Sequence, residues 1–117
     1  MSVIHAIKAH DISVNSAPEP RHGAVLLPIG FDAPGLCLAF RDLTVSVLAL
    51  AAPDVVAAPL ISRDFDALDL LDRLGSLNYR GRVCIHAPKL PNRQVVLREL
   101  RFAAHRKGIT VEMTDAA

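Results

Sequence analysis

Cys84 and His86 stand two residues apart in the apolar run "RVCIHA", Arg82 to Ala87. In an extended strand that spacing puts both side chains on one face. A thiol and an imidazole on one face suggest either metal ligation, with Cys37 as a third ligand, or general-base work by His86. Zinc sites use closely spaced ligand pairs, and the chain's two cysteines, Cys37 and Cys84, lie far apart in sequence. No metal is expected. A base at the carboxyl end of a strand is better placed, because ligands of open α/β sheets bind there. No Ser, Cys or carboxylate partner for it is evident. Pro28, Pro59, His86 and Pro88 mark this candidate strand-end pocket, the site that a small-ligand-binding or enzymatic domain would use.

Four carboxylates, Asp64, Asp66, Asp69 and Asp72, follow helical rather than metal-binding spacing. Acids are favoured in a first helical turn, and an outer helix face is polar in any case. No Gly-rich phosphate loop occurs, and "GSLNYRG" does not fit one. No cofactor is expected. The basic residues carry more information. Asn78 to Gly108 holds Arg80, Arg82, Lys89, Arg93, Arg98, Arg101, Arg106 and Lys107 against one acid, Glu99, while Asp64 to Asp72 holds no base. The net charge is only +1, so the chain is split into an anionic and a cationic part. Arg98 and Arg101 share a helical face, with Lys89 and Arg93 near the start of that helix. Such a face suits an acidic protein partner. Nucleic acid fits less well, because only Tyr79 and Phe102 are aromatic among these bases and the pI is 7.9.

These groups need a scaffold, and 117 residues supply one domain. An apolar fraction of 51% and a mean hydropathy of +0.32 exclude a disordered chain. The longest apolar stretch, Val45 to Pro53, is far shorter than the roughly 20 residues of a membrane span. No secretory leader pattern opens the sequence, and both cysteines sit in apolar runs, which points to free thiols in a cytoplasmic protein.

Residues 1–23 read as an arm or edge segment, with "SVIHAI" as a short edge strand and "SAPEPRHG" as loop. Residues 24–117 read as the domain. "AVLLPI" (Ala24 to Ile29) and "LCLAF" (Leu36 to Phe40) suit strands. A helix follows Asp42 or Thr44 as cap and stops at Pro53. "VVAAPL" is a strand. Asp64 is the expected N-cap of a helix with Ala67, Leu70, Leu71, Leu74 and Leu77 inward and Asp66, Asp69, Asp72 and Arg73 outward. "RVCIHA" is a strand. Pro91 and Asn92 open a helix reaching about Arg106, Gly108 stops it, and "ITVEM" is the last strand. Apolar strands alternating with helices predict a parallel sheet covered on both faces.

The stretch "PDVVAAPLISRDFDALDLLDRL" resembles the receiver domains of response regulators, the CheY-like modules of bacterial two-component signalling. Receivers carry Pro-Asp, four apolar residues and then the phospho-acceptor Asp. Here Pro53-Asp54 opens the strand, and Asp66 falls where the family has its Asp-Gly aspartate. "YRGRVCIHA" is similar to the approach to the next receiver strand. The resemblance covers Pro53 to Ala87 and implies a flavodoxin-like fold. It also implies that Pro59 occupies the phospho-acceptor position, where a proline ring offers no nucleophile. The acid pair that would hold Mg²⁺ falls on Pro28 and Ile29, which lack oxygen ligands. The switch Ser or Thr falls on His86 and Ala87.

Residues and resemblance together predict a three-layer, mainly parallel α/β domain with a reduced N-terminal half and no last helix. About six residues between the first two strands are too few for a parallel crossover, so either a helix is lost or those strands form a hairpin. The expected function is a phosphorylation-independent signalling or protein-interaction module, not an enzyme. It would act through Lys89, Arg93, Arg98, Arg101, Asp66, Asp69 and Asp72, on a protein partner or on itself as a homodimer.

Overall fold

The structure is a computed structural model that describes residues 25–31 and 37–115. The expected N-terminal arm, 1–23, lies outside the described residues, as do Ala24 and Leu36. Four strands form one sheet in the order β1 (Leu26–Pro28), β2 (Val55–Pro59), β3 (Arg82–Ala87) and β4 (Thr110–Asp115). Every pair is parallel. Helices α1 (Val45–Ala51), α2 (Ala67–Ser76) and α3 (Arg93–His105) make the successive crossovers. The arrangement is consistent with a flavodoxin-like α/β fold.

Local chemistry sets each helix end. Thr44 Oγ1 accepts from the Val47 amide at 3.2 Å and starts α1, and Ala52 closes it in a left-handed conformation (φ 43°) just before Pro53. The N-cap of α2 is Asp66, not the expected Asp64. Asp66 accepts from the Asp69 amide at 2.9 Å while Asp69 accepts from the Asp66 amide at 3.0 Å, a reciprocal capping box that Asp64 does not make. Asn92 precedes α3 without a side-chain cap bond. Gly108 turns the chain away at φ 75°, and the Ile109 amide returns to the Ala104 carbonyl at 3.0 Å.

The second correction concerns "LCLAF". Leu38 makes a single parallel bridge to Ile29, and Phe40–Asp42 winds into a 3₁₀ turn, so neither a strand nor a hairpin forms there. Leu38 donates to the Pro28 carbonyl at 3.0 Å and accepts from the Gly30 amide at 2.9 Å, which ties the segment to the end of β1.

Right-handed crossovers along an unreversed strand order put every helix on the same side of a sheet. The packing agrees. Leu48 of α1, Leu70, Leu71 and Leu74 of α2, and Leu100 and Ala104 of α3 share one core with Val56, Ala58, Val83, Ile85, Ala87 and Val111. Leu26, Phe31, Cys37 and Ala57 form a small separate cluster. Ala57 alternates with Val56 and Ala58 along β2, so that cluster lies on the opposite face. Farther along that face, Arg82 of β3 pairs with Glu112 of β4 at 2.8 Å, each about half exposed. The expected cover of helices on both faces is met, among the described residues, on one face alone. An exposed ion pair is the wrong surface for an apolar helical layer over β3 and β4.

Candidate functional site

Two regions hold the residues singled out by sequence: the carboxyl ends of the strands and the outer faces of α2 and α3.

The register pairs Pro59 with His86 and Pro28 with Ala57, so Pro28, Pro59, Cys84 and His86 share the helix-free face. The structure thus gathers three of the four expected strand-end residues. Pro88 follows β3 in the next loop, partly buried. His86 meets the Phe31 ring edge-on, with centroids 5.3 Å apart. Its Nε2 is buried without a hydrogen-bond partner, and burial pushes its pKa below the ordinary 6.5. A general base needs a proton donor within reach, and this imidazole instead packs against a ring. Burial, followed by the Glu112 charge, pushes the Cys84 thiol up, away from the thiolate form that a nucleophile or a metal site requires. Cys37 Sγ accepts from the Phe31 amide at 3.0 Å and holds the loop after β1. Among the described residues no group of three or more His, Cys, Asp or Glu is placed to hold a metal ion.

On the helix side, the chain itself fills the strand ends. Ile61 bridges to Asp66, the Ser62 amide donates to the Phe65 carbonyl at 2.8 Å, and Ser62 Oγ donates to the Gly30 carbonyl at 3.2 Å. This closed loop presses the Phe65 ring against Gly30, where a Cβ would collide with it. Phe65 also stacks on Phe40 at 4.5 Å. Gly30 is therefore required twice, for its φ of 77° and for the aromatic plug.

The outer helix faces are different in kind. Asp66 and Asp69 hold each other in the capping box, and Asp72 reaches Lys107 beyond α3 at 3.1 Å. Arg73 donates twice to the Leu43 carbonyl, at 3.1 and 3.0 Å, and braces α2 against the start of α1. Arg93 bonds the Asp115 carboxylate at 2.9 Å and the Met113 carbonyl at 3.0 Å, so it pins α3 to β4. Lys89 is exposed in the preceding loop, and Arg98 and Arg101 are exposed on α3. Neither Arg98 nor Arg101 forms an ion pair among the described residues.

Beside these arginines lies a feature that composition hides. Phe102 is 67% exposed and Val95 54% exposed, on one stripe of α3 that also carries Glu99 and Arg106. The Arg106 guanidinium sits 5.8 Å from the Phe102 ring centre. Next to the stripe, a small open groove lies between α2 and α3. Leu60, Ala67, Leu68, Val96 and Leu100 wall it, and Asp66 and Glu99 stand at its rim. The helical period was the available signal. Val96, Leu97, Leu100, Ala103 and Ala104 complete the inward stripe, so Phe102 and Val95 had to face out.

No protein-family model, curated protein or solved structure matches the chain.

Proposed function

We propose that this chain is a phosphorylation-independent interaction module of the pseudo-receiver type, acting through the α2–α3 face rather than by catalysis. The observation that carries the reading is Phe102, a large aromatic two-thirds exposed beside a groove and next to Arg98 and Arg101, which form no ion pair among the described residues. Aromatic and Arg side chains dominate binding hot spots, because they bring large area and planar hydrogen bonding to a desolvated contact.

The strand ends support the same side of the choice. Pro59 closes β2 where a receiver would carry its acceptor carboxylate, and Pro28 and Ile29 close β1 without an oxygen ligand. Ligand crevices in open α/β sheets form where the strand order reverses, and the described sheet runs β1-β2-β3-β4 without reversal. Cys84 is a free thiol, which suits a reducing compartment, and we place the module in the cytoplasm. No described helix is long and apolar enough to cross a membrane.

The test is photo-crosslinking in cells, with a photoreactive phenylalanine analogue replacing Phe102 and, as control, the exposed Arg41 of the 3₁₀ turn. A discrete protein adduct from position 102 that is absent from position 41 is expected. No adduct from position 102 would overturn the interaction reading.

A further inference from the structure

Glu99 lines the groove from the α3 side and is the one acid of that helix. At about 100° per residue, Arg98 lies about 100° around the helix from Glu99, His105 about 120° and Arg101 about 160°. All three are exposed, on the flank turned away from the groove. Arg93 and Lys107, at the two ends of α3, are taken by Asp115 and Asp72. Arg98, Arg101 and His105 form no ion pair among the described residues. Between this flank and the groove runs an apolar line, the exposed Val95 and Phe102, seven residues and so about 10 Å apart along the helix. We propose that this face docks a helix of an acidic protein partner, with apolar side chains seated on Val95 and Phe102 and carboxylates set against Arg98 and Arg101. The proposal rests on the interaction reading above and names the chemistry of the partner.

Charge complementarity selects the occupant. The net charge of the chain is only +1, so a preference for acid on this flank would be local and not a product of the overall field. A second copy packed α3 on α3 would bring its own Arg98 and Arg101 to the same place, which like-charge repulsion opposes. Spacing selects a helix. Apolar anchors about 10 Å apart match side chains at i and i+7 of a helix laid alongside, as in helix-in-groove recognition. Arg98 and Arg101 are one turn apart, so acids three or four residues apart on the partner helix can meet both. An extended segment would gain nothing from its backbone here, because strand addition needs a sheet edge. Single-stranded nucleic acid fits less well, since it stacks successive bases on several aromatics and Phe102 is the one strongly exposed aromatic among the described residues. Size sets the strength. Thirteen residues of α3 span about 20 Å, which belongs to the small, transient end of specific interfaces.

Fluorescence anisotropy with the full chain tests this with two synthetic amphipathic helices that share leucines at i, i+3, i+7 and i+10. One carries glutamates at its remaining positions and the other carries lysines. The glutamate helix should bind in the tens-of-micromolar range, about tenfold or more tighter than the lysine helix. Its binding should weaken as salt screens charge beyond about 8 Å. Arg98→Glu with Arg101→Glu should reverse the preference, and Phe102→Ala should weaken the glutamate helix about tenfold while its advantage over the lysine helix persists. Circular dichroism checks that each variant folds. A wild type that does not discriminate between the helices, or a double variant that keeps the wild-type preference, overturns the proposal. So does a single-stranded uridine oligonucleotide that binds more tightly than the glutamate helix and is lost in the double variant, since the occupant would then be nucleic acid. Release of the glutamate helix as protein concentration rises would make a second copy the occupant, with the same result. If the two helices bind alike while position 102 still crosslinks to a discrete protein, the acidic-helix proposal fails and the interaction reading survives.

Discussion

Raising the pH attacks one buried hydroxyl whose response can be worked out from its surroundings. Tyr79 is 8% exposed, and its hydroxyl donates to the Arg82 carbonyl at 2.8 Å and lies 3.3 Å from the Asp54 carbonyl. It thereby ties the amino end of β3 to the residue that opens β2, and its ring lies over Gly81, where a Cβ would collide with it. Burial, opposed by its hydrogen bonding at Arg82 and aided by the Asp54 charge, pushes its pKa from 10.0 up to about 12. The folded state thus keeps the phenol neutral where the unfolded chain ionises it. The contribution to stability is full below pH 10 and is lost as pH rises through about 12. Two pH units correspond to about 2.7 kcal/mol, a large share of the roughly 5–15 kcal/mol that holds a domain of this kind. The assay is clean because Tyr79 is the chain's one tyrosine and there is no tryptophan. Tyrosinate absorbance should appear near pH 10 in denaturant but be delayed toward 12 in buffer, or arrive abruptly with unfolding. Tyr79→Phe should cost about 1 kcal/mol at neutral pH and reduce the alkaline slope to the part left by the buried Cys84 thiol. A native-state titration near 10, with circular dichroism unchanged, would refute the packing described for this corner.

Leu71→Ala and Leu100→Ala each empty a buried site on a core-facing helix and should cost about 2–5 kcal/mol by denaturant titration; losses under about 1 kcal/mol at both would mean that the helix faces are misplaced. His86 is held neutral by burial, so its folded pKa lies below 6.5 and stability should fall as pH drops through that value, by at most about 1.4 kcal/mol per pH unit. His86→Phe keeps a ring against Phe31 and should flatten that acid slope relative to wild type; an unchanged slope would place the titrating group elsewhere. Acetyl phosphate with Mg²⁺ should leave the intact mass unchanged, because Pro59 supplies no acceptor oxygen, and a phosphoryl adduct on any Asp would end the pseudo-receiver reading.

How far the sequence reaches depends on how local the deciding interactions are. The β3 run was legible because the Asn78 to Gly81 turn and Pro88 bracket it, and its observed bounds, Arg82–Ala87, match the reading. The inward stripes of α2 and α3 follow from the helical period alone. The α2 cap was misread although the signal was present: Asp66 has an acid three residues on, at Asp69, and Asp64 has Ala67 there. "LCLAF" failed for a different reason. Its apolar composition fits a strand, but a strand needs a neighbour along its length, and Leu38 finds one bridge to Ile29. Strand order is the least local property of all. It decides which sheet face the crossovers cover, and no residue pattern here encoded it. The structure brings Pro28, Pro59 and His86 to one sheet face and leaves His86 Nε2 without a hydrogen-bond partner among the described residues, while the exposed position of Phe102 follows from the helical period.

The order of the strands also favours the proposal that a partner meets the helices rather than the strand ends. In a doubly wound sheet, helices diverge from the point where strand order reverses, and the gap between them becomes the ligand crevice. The described sheet adds each strand on the same side, so α1, α2 and α3 lie in one row and the loop from Leu60 to Asp66 plugs the strand ends with Phe65. With no reversal among the described strands, an apolar groove is found instead at the seam between α2 and α3, lined by Leu68 and Val96 among others. That seam inherits its polarity from the two helices beside it. The charged residues that line it are Asp66, the α2 cap, and Glu99 of α3. On the interaction reading proposed above, this seam, with Phe102 exposed beside it, is the surface that a partner would meet.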